Sequence, residues 1–366
     1  MKVLITGASG FIGLHLSRHL LALGHEVTAV IRSVETASSK NVSATHTTVL
    51  TDITAITSAQ LAGIDVVIHL AGVAHDYGVR KSEFERVNVE GSRHLAQCCV
   101  EASVKKLVFI SSVKAIAENS KVPLRTDVHP APGDDYGKSK LAAENFLLAL
   151  SDTGFPDSGD ASRDYSIPDS PTVNNPGRDK QGIEILIIRI PLVYGEGVKG
   201  NFQSLVKLVR SRIPLLFKEI KNKRSYLGIQ NLCDFLANCV HRDTASHSSA
   251  GSVVSVRKNL STGIYHIADE PSASLAFLVE NIAVAVGKTP ENYRIPKSLI
   301  VLAGSLVLGR RRAASLFGDL ELDTAETFRT ADWRPPYDLQ RGLDVMLRPP
   351  GSGEASWYGN LSRKAD

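Results

Sequence analysis

Tyr136 and Lys140 stand four residues apart in the stretch Tyr136-Gly137-Lys138-Ser139-Lys140. On a helix that spacing puts both side chains on one face, one turn apart. A phenol titrates near ~10 and is a poor base at neutral pH. A neighbouring ammonium favours the phenolate and lowers that value. Such a pair can carry a proton to and from a substrate oxygen. Ser112 closes the apolar run Lys106-Leu107-Val108-Phe109-Ile110-Ser111-Ser112 and can hydrogen-bond a reacting carbonyl or hydroxyl. A second constellation lies at the start of the chain, where Lys2-Val3-Leu4-Ile5-Thr6 runs into Gly7-Ala8-Ser9-Gly10-Phe11-Ile12-Gly13. Gly7 permits a tight turn, Gly10 leaves no side chain between backbone and a pyrophosphate, and Gly13 lets a helix sit close to the strand. The helix that follows offers its first N–H groups to phosphate. Together these residues specify a dinucleotide site beside a proton-transfer site.

The elements that must position them follow from periodicity. Apolar runs at 1–6, 26–31, 47–50, 65–70, 106–112 and 183–190 read as buried parallel strands. Helical patterns lie between several of them, including 83–102 and a helix from Tyr136 to about residue 150. This alternation predicts an α/β fold, a Rossmann-type doubly wound parallel sheet, with ligands at the carboxyl ends of its strands. Arg32 follows the second strand. An acid there would accept a ribose 2′-hydroxyl, whereas an arginine suits a 2′-phosphate. The expected cofactor is therefore NADP(H), with NAD(H) the alternative.

Composition excludes several classes. The 366 residues carry 42 Lys+Arg and 38 Asp+Glu, a net charge of +4, too mild for a nucleic-acid partner. Four cysteines without a C-x-x-C pair read as reduced thiols in a cytoplasmic protein. The apolar run 299–308 is too short to span a bilayer. No metal site is expected.

Glycines spaced G-x-x-G-x-x-G, the Phe11-Ile12-Gly13 turn and the Tyr136–Lys140 pair resemble the extended branch of the short-chain dehydrogenase/reductases, the epimerase/dehydratase family that acts on nucleotide sugars. The resemblance implies cofactor contacts at Gly7, Gly10, Phe11, Ile12, Gly13, Arg32, Asp52, Ile53, Ser111, Tyr136 and Lys140. It adds Leu70-Ala71-Gly72 under the ribose and pyrophosphate, Asn88 of Asn88-Val89-Glu90-Gly91 as a brace, and Ile190-Pro191 against the nicotinamide. His69 reads as a packed strand residue. Beyond the sheet, the resemblance to UDP-sugar epimerases implies substrate contacts from Asn201 and Arg224 on diphosphate, Phe217 on uracil and Arg312 on a second phosphate oxygen, with Ser112 and Tyr136 at the sugar. Trp333-Arg334-Pro335 resembles the closing G-W-x-P motif, with Asp332 where glycine usually stands.

The expected organisation is a dinucleotide-binding domain over 1–190, interrupted by a polar insertion at 151–181. A smaller α/β substrate lobe spans 191–348, with a loop at 243–262, and a polar tail covers 349–366. The expected reaction is reduction of a UDP-linked 4-keto hexose, with UDP-sugar 4-epimerisation on bound NAD as the alternative. Val113-Lys114 after Ser112, in place of an Asp-Glu step, argues against a 4,6-dehydratase. A non-catalytic cofactor-binding scaffold is a third reading. The resemblance also implies a homodimer.

Overall fold

The computed structural model describes residues 1–73, 78–153, 182–211, 215–240, 260–289, 293–296, 298–300, 313 and 316–347. Seven parallel strands form one sheet in the order β3-β2-β1-β4-β5-β6-β9. They are β1 (Lys2–Thr6), β2 (Glu26–Ile31), β3 (His46–Val49), β4 (Val66–His69), β5 (Lys106–Ser112), β6 (Glu184–Ile190) and β9 (Gly263–His266). The order reverses between β1 and β4, the place where doubly wound sheets open a ligand crevice. Two further parallel strands, β7 (Leu192–Tyr194) and β8 (Tyr226–Gly228), form a small second sheet.

Both faces of the main sheet are covered, which is why its strands are continuous apolar runs. Val3, Ile5, Val27, Ala29 and Ile31 pack against α1 (Phe11–Ala22), through Leu16 and Leu20, and α7 (Ile229–Val240). Leu4, Val67, Leu107 and Phe109 face the other way, against α4 (Gly91–Glu101) and α5 (Asp135–Thr153). Along the chain, α2 (Val34–Ser39) follows β2, and α3 (Lys81–Phe84) leads into α4. The join is a π-helical stretch, Glu85–Glu90. The lobe has its own core, in which Tyr194, Phe202, Val206 and Val209 of β7 and α6 (Asn201–Arg210) meet Leu278 and Ile282 of α8 (Leu275–Ala285) and Leu343 of α10 (Leu339–Leu347).

Several boundaries differ from the sequence reading. Helix α5 continues to Thr153, so the first three residues of the expected insertion at 151–181 are helical. Residues 154–181, most of the expected loop at 243–262, and the tail beyond 347 lie outside the described residues. Asp332 ends α9 (Ala325–Ala331) with φ 47° and ψ 46°. The motif's glycine position thus keeps its left-handed turn, with aspartate, one of the residues that tolerates it.

Gly13 shows how little room the first turn leaves. A Cβ there would sit 2.4 Å from the carbonyl oxygen of Gly7 and 2.6 Å from Cα of Ala8, both backbone atoms. Gly13→Ala must displace helix from strand, and overpacking of this kind costs about 1–3 kcal/mol. Urea unfolding is expected to show that loss, together with weaker cofactor retention on gel filtration. An unchanged midpoint would contradict the close helix–strand contact.

Candidate active site

The loop after β1 is shaped by two constraints. Gly7 has φ +68°, and a Cβ there would lie 2.8 Å from the amide nitrogen of Ala71. The first glycine turn and Leu70-Ala71 at the end of β4 therefore touch backbone to backbone, across the point where the strand order reverses. Gly10 N donates to Gly7 O at 2.9 Å, and no side chain caps the start of α1 at Phe11 and Ile12. A pyrophosphate fits such a cradle, because bare backbone and a helix start supply N–H donors and a partial positive charge.

A buried hydrogen-bond chain locks this region. Ala71 N donates to Thr6 Oγ1 at 3.2 Å, and Thr6 Oγ1 lies 2.7 Å from His69 Nδ1. His69 Nε2 lies 3.0 Å from Ser92 Oγ, which donates to Asn88 O at 2.6 Å. Because Ser92 Oγ gives its proton to Asn88 O, His69 Nε2 must be the donor to Ser92. Burial, helped by the Lys140 charge, lowers its pKa to about 3. His69 is thus a packed strand residue. Asn88, in the π-helical stretch, accepts from Val73 N at 2.8 Å and donates to Ser139 Oγ at 2.9 Å. It ties the loop after β4 to α5, and π-helical turns recur where one side chain must be re-aimed. Gly91 lies against Ile53, whose Cγ2 would be 2.4 Å from an added Cβ.

Arg32, expected at the cofactor's adenosine end, is exposed after β2. Asp52 caps the short Ile53–Ala55 turn, accepting from Thr54 N at 3.0 Å, and pairs with Arg86. Lys40 donates from Nζ to the carbonyl of Ser9, inside the glycine turn, at 3.0 Å. Sequence reasoning missed Lys40, which has no fixed spacing from the glycines.

Ser112, Tyr136 and Lys140 meet at the carboxyl end of β5. The Tyr136 hydroxyl hydrogen-bonds the Ser112 side chain. The Phe84 ring flanks the phenol ring, 6.2 Å between centroids. Lys140 Nζ donates to Ile110 O at 2.9 Å, sits 4.6 Å above the Phe109 ring, and would be 3.5 Å from a Cβ on Gly72. The Tyr136 shift runs opposite to the expectation of a lysine-acidified phenol. Burial pushes Tyr136 up to about 12, and the Ser112 hydrogen bond only partly offsets it. Burial also lowers Lys140 to about 8, against the Glu144 charge that raises it. In the protein alone the tyrosine is a phenol.

Glu144, one turn beyond Lys140, is the residue that sequence reading overlooked. It is fully buried and accepts from Arg189 Nη2 at 2.7 Å and Nε at 3.1 Å. Ser111 also donates to it, so that side chain points at Glu144 and away from the crevice. The signal was present in the sequence: an acid in register with Tyr136 and Lys140 on the helix face that also buries Ala143 and Leu147. Ile190 is buried at the end of β6, directly before Pro191 and β7.

The residues expected to contact substrate are less completely assembled. Arg224 Nη1 donates to Gly318 O at 3.0 Å, and its backbone bridges to Ala273 and Leu320. Phe217 packs, half-buried, against the lobe core. The Asn201 side chain and all of Arg312 lie outside the described residues. Asp234 accepts from Trp333 Nε1 at 2.7 Å and so fastens the closing motif to α7.

Known proteins carry the same plan. The model of the NAD dependent epimerase/dehydratase family matches residues 3–156. A UDP-glucose 4-epimerase of Vibrio cholerae is 31% identical over 351 residues, 93% of each chain. An N-acetyl-alpha-D-glucosaminyl-diphospho-ditrans,octacis-undecaprenol 4-epimerase of Escherichia coli O157:H7 is 24% identical over 95% of this chain and 94% of its own. Among solved structures, the UDP-glucuronic acid 4-epimerase of Bacillus cereus in complex with NAD superposes with a TM-score of 0.68 at 18% identity, covering all of both chains. The chain belongs to the NAD dependent epimerase/dehydratase family, within the extended short-chain dehydrogenases/reductases. It is an enzyme of that type, a member of a family of NAD-dependent nucleotide-sugar enzymes. Among the described residues, no helix is long and apolar enough to cross a membrane.

Two tests follow from the buried charges. Glu144→Ala leaves the Arg189 guanidinium buried without its carboxylate, which costs about 3–5 kcal/mol. The double variant Glu144→Leu with Arg189→Met is expected to recover most of that loss in urea unfolding. His69 and His266 are each lowered from 6.5 to about 3 by burial. The unfolded chain therefore binds more protons between those values, and stability falls as pH drops from about 6.5 towards 3. Melting temperatures across that range check the sign, and a rise on acidification would contradict it.

Proposed function

We propose that this enzyme interconverts an alcohol and a ketone at C4 of a UDP-linked hexose. The observation that carries the reading is the Ser112–Tyr136 hydrogen bond at the carboxyl end of β5, one helical turn from Lys140 and across from the glycine turn. A bound nicotinamide supplies or accepts the hydride at the sugar carbon. Gly7, Gly10 and Gly13 make room for its pyrophosphate, and Lys140 would hold its ribose hydroxyls. Ser112 accepts from Lys114 N at 3.2 Å, so its own proton is available to a sugar oxygen in place of the phenol. Tyr136 then gives that oxygen its proton during reduction, or takes it during oxidation. The deprotonated state is reached only when positive charge near the phenol outweighs its burial. We assign residues 1–190 to the dinucleotide domain, completed by α7 and β9 from the 191–348 stretch, and the remainder of that stretch to the sugar-nucleotide lobe, with Arg224 and Phe217 toward the UDP.

The favoured direction is reduction of a UDP-4-keto hexose by exchangeable NADPH. Arg32, exposed after β2, and Lys40, anchored on the glycine turn, are two cations at the adenosine end. They suit a 2′-phosphate. The second reading is 4-epimerisation on retained NAD, favoured by the 31% identical Vibrio cholerae relative that carries that name.

Tyr136→Phe is expected to lower turnover of UDP-4-keto hexoses by about 10²–10⁴-fold, the range for loss of a general acid, with cofactor binding retained. Arg32→Ala is expected to weaken NADPH about tenfold, worth one charge-assisted phosphate contact, and to leave NADH unchanged. Coenzyme titration by fluorescence checks the second outcome. Equal weakening of both would place Arg32 on the adenine or ribose they share.

A further inference from the structure

Lys114 has no part in the reaction as described, yet its contacts converge on the two residues that do. Its amide donates to Ser112 Oγ at 3.2 Å. Its Nζ lies 2.7 Å from Asp134 Oδ2 and 3.3 Å from Glu118 Oε1. Asp134 in turn accepts from Gly137 N through Oδ1 at 2.7 Å, capping the helix that carries Tyr136 and Lys140. The Lys114 carbonyl presses on the same turn, because a Cβ on Gly137 would sit 2.2 Å from it. One lysine thus fixes the serine through its backbone and the tyrosine's helix through its ammonium.

We propose that Lys114 and Asp134 form a charge-matched strut, with Lys114 as a positioning residue that keeps Ser112 in register with Tyr136 and cancels the carboxylate beside the phenol. This deepens the reading of Tyr136 as the proton carrier and rests on it. Asp134 is a charge that disfavours the phenolate. Without an ammonium on it, Tyr136 would be harder to ionise.

The other groups around Tyr136 leave this balance exposed. From α5 come Lys140 and, behind it, Glu144, which Arg189 of β6 neutralises. From the turn after β5 come Lys114 and Glu118. Glu118 also acts on Arg224 across the crevice, raising its pKa against burial. The segment before α4 presents Phe84 and the neutral Asn88, and β4 presents the neutral His69. Asp134 and Lys114 are therefore the pair whose separate removal should move Tyr136 in opposite directions.

The test uses full-length protein saturated with NAD⁺. Phenolate absorbance is titrated, and the Tyr136→Phe curve is subtracted to isolate Tyr136. Lys114→Met is expected to raise the Tyr136 midpoint by about 0.5–1 pH unit, the size of one charge in a partly solvated site. Asp134→Asn keeps the cap, since asparagine caps as well as aspartate, and is expected to lower the midpoint by a similar amount. The double variant should return to the wild-type midpoint, and Lys114→Arg should stay there. A purely structural strut predicts shifts of the same sign in both single variants, or none, and either result overturns the proposal. Turnover of UDP-hexoses, measured alongside, separates the two claims. Opposite shifts without turnover would overturn the reaction and leave the strut, whereas turnover without opposite shifts would do the reverse.

Discussion

The buried Glu144 carboxylate holds the carboxyl ends of β5 and β6 to α5. It receives the Arg189 fork from β6 and the Ser111 hydroxyl from β5, and it stands on α5 one turn from Lys140. Three elements are thereby pinned to one another at the level where β5 delivers Ser112. A charge with so little water around it is tolerated only while its partners stay in place. Any slip of α5 along the sheet would strand both Glu144 and Arg189. The interaction therefore works as a register device, placing Tyr136 beside Ser112 and Lys140 beneath Gly72.

A second consequence of the same packing is electrical. Burial is the largest influence on both members of the Tyr–Lys pair, raising one and lowering the other. Each is pushed toward its neutral form. In the protein alone Tyr136 is thus held as a neutral phenol. Lys140 spends its hydrogen bond on Ile110 O and faces the Phe109 ring, whereas Ser112 is the partner that touches the phenol. Charge brought into the crevice with a ligand would act here more strongly than in water, because the packed protein screens it less than bulk solvent.

Much of this arrangement was legible in the sequence. Apolar runs located six of the seven strands of the main sheet within a residue or two, since a parallel strand buried on both faces has little compositional freedom. The glycine turn was legible because Gly7 and Gly13 answer to backbone contacts that any side chain would break. The helix register marked Glu144, but its pairing with Arg189, like Lys40 on Ser9 and the Lys114–Asp134 bridge, was not legible. Each joins residues 20 or more positions apart, and a charged side chain in a sequence looks the same whether it faces water or a buried partner. The π-helical stretch at Asn88 was read as ordinary helix, because periodicity over six residues does not separate the two. The direction of the Tyr136 shift was missed for a similar reason: a four-residue spacing reports proximity along a helix, whereas desolvation depends on everything packed around it.

The central claim is that hydride is exchanged with C4 of a UDP-hexose while Tyr136 handles the proton on O4. The most direct measurement loads the enzyme with nicotinamide cofactor deuterated at the transferable position, adds a UDP-4-keto hexose, and locates the label by NMR after a single turnover. The account predicts one deuterium, bonded to C4, in wild-type product. Product deuterated at another carbon, or reduced product without label, would contradict it.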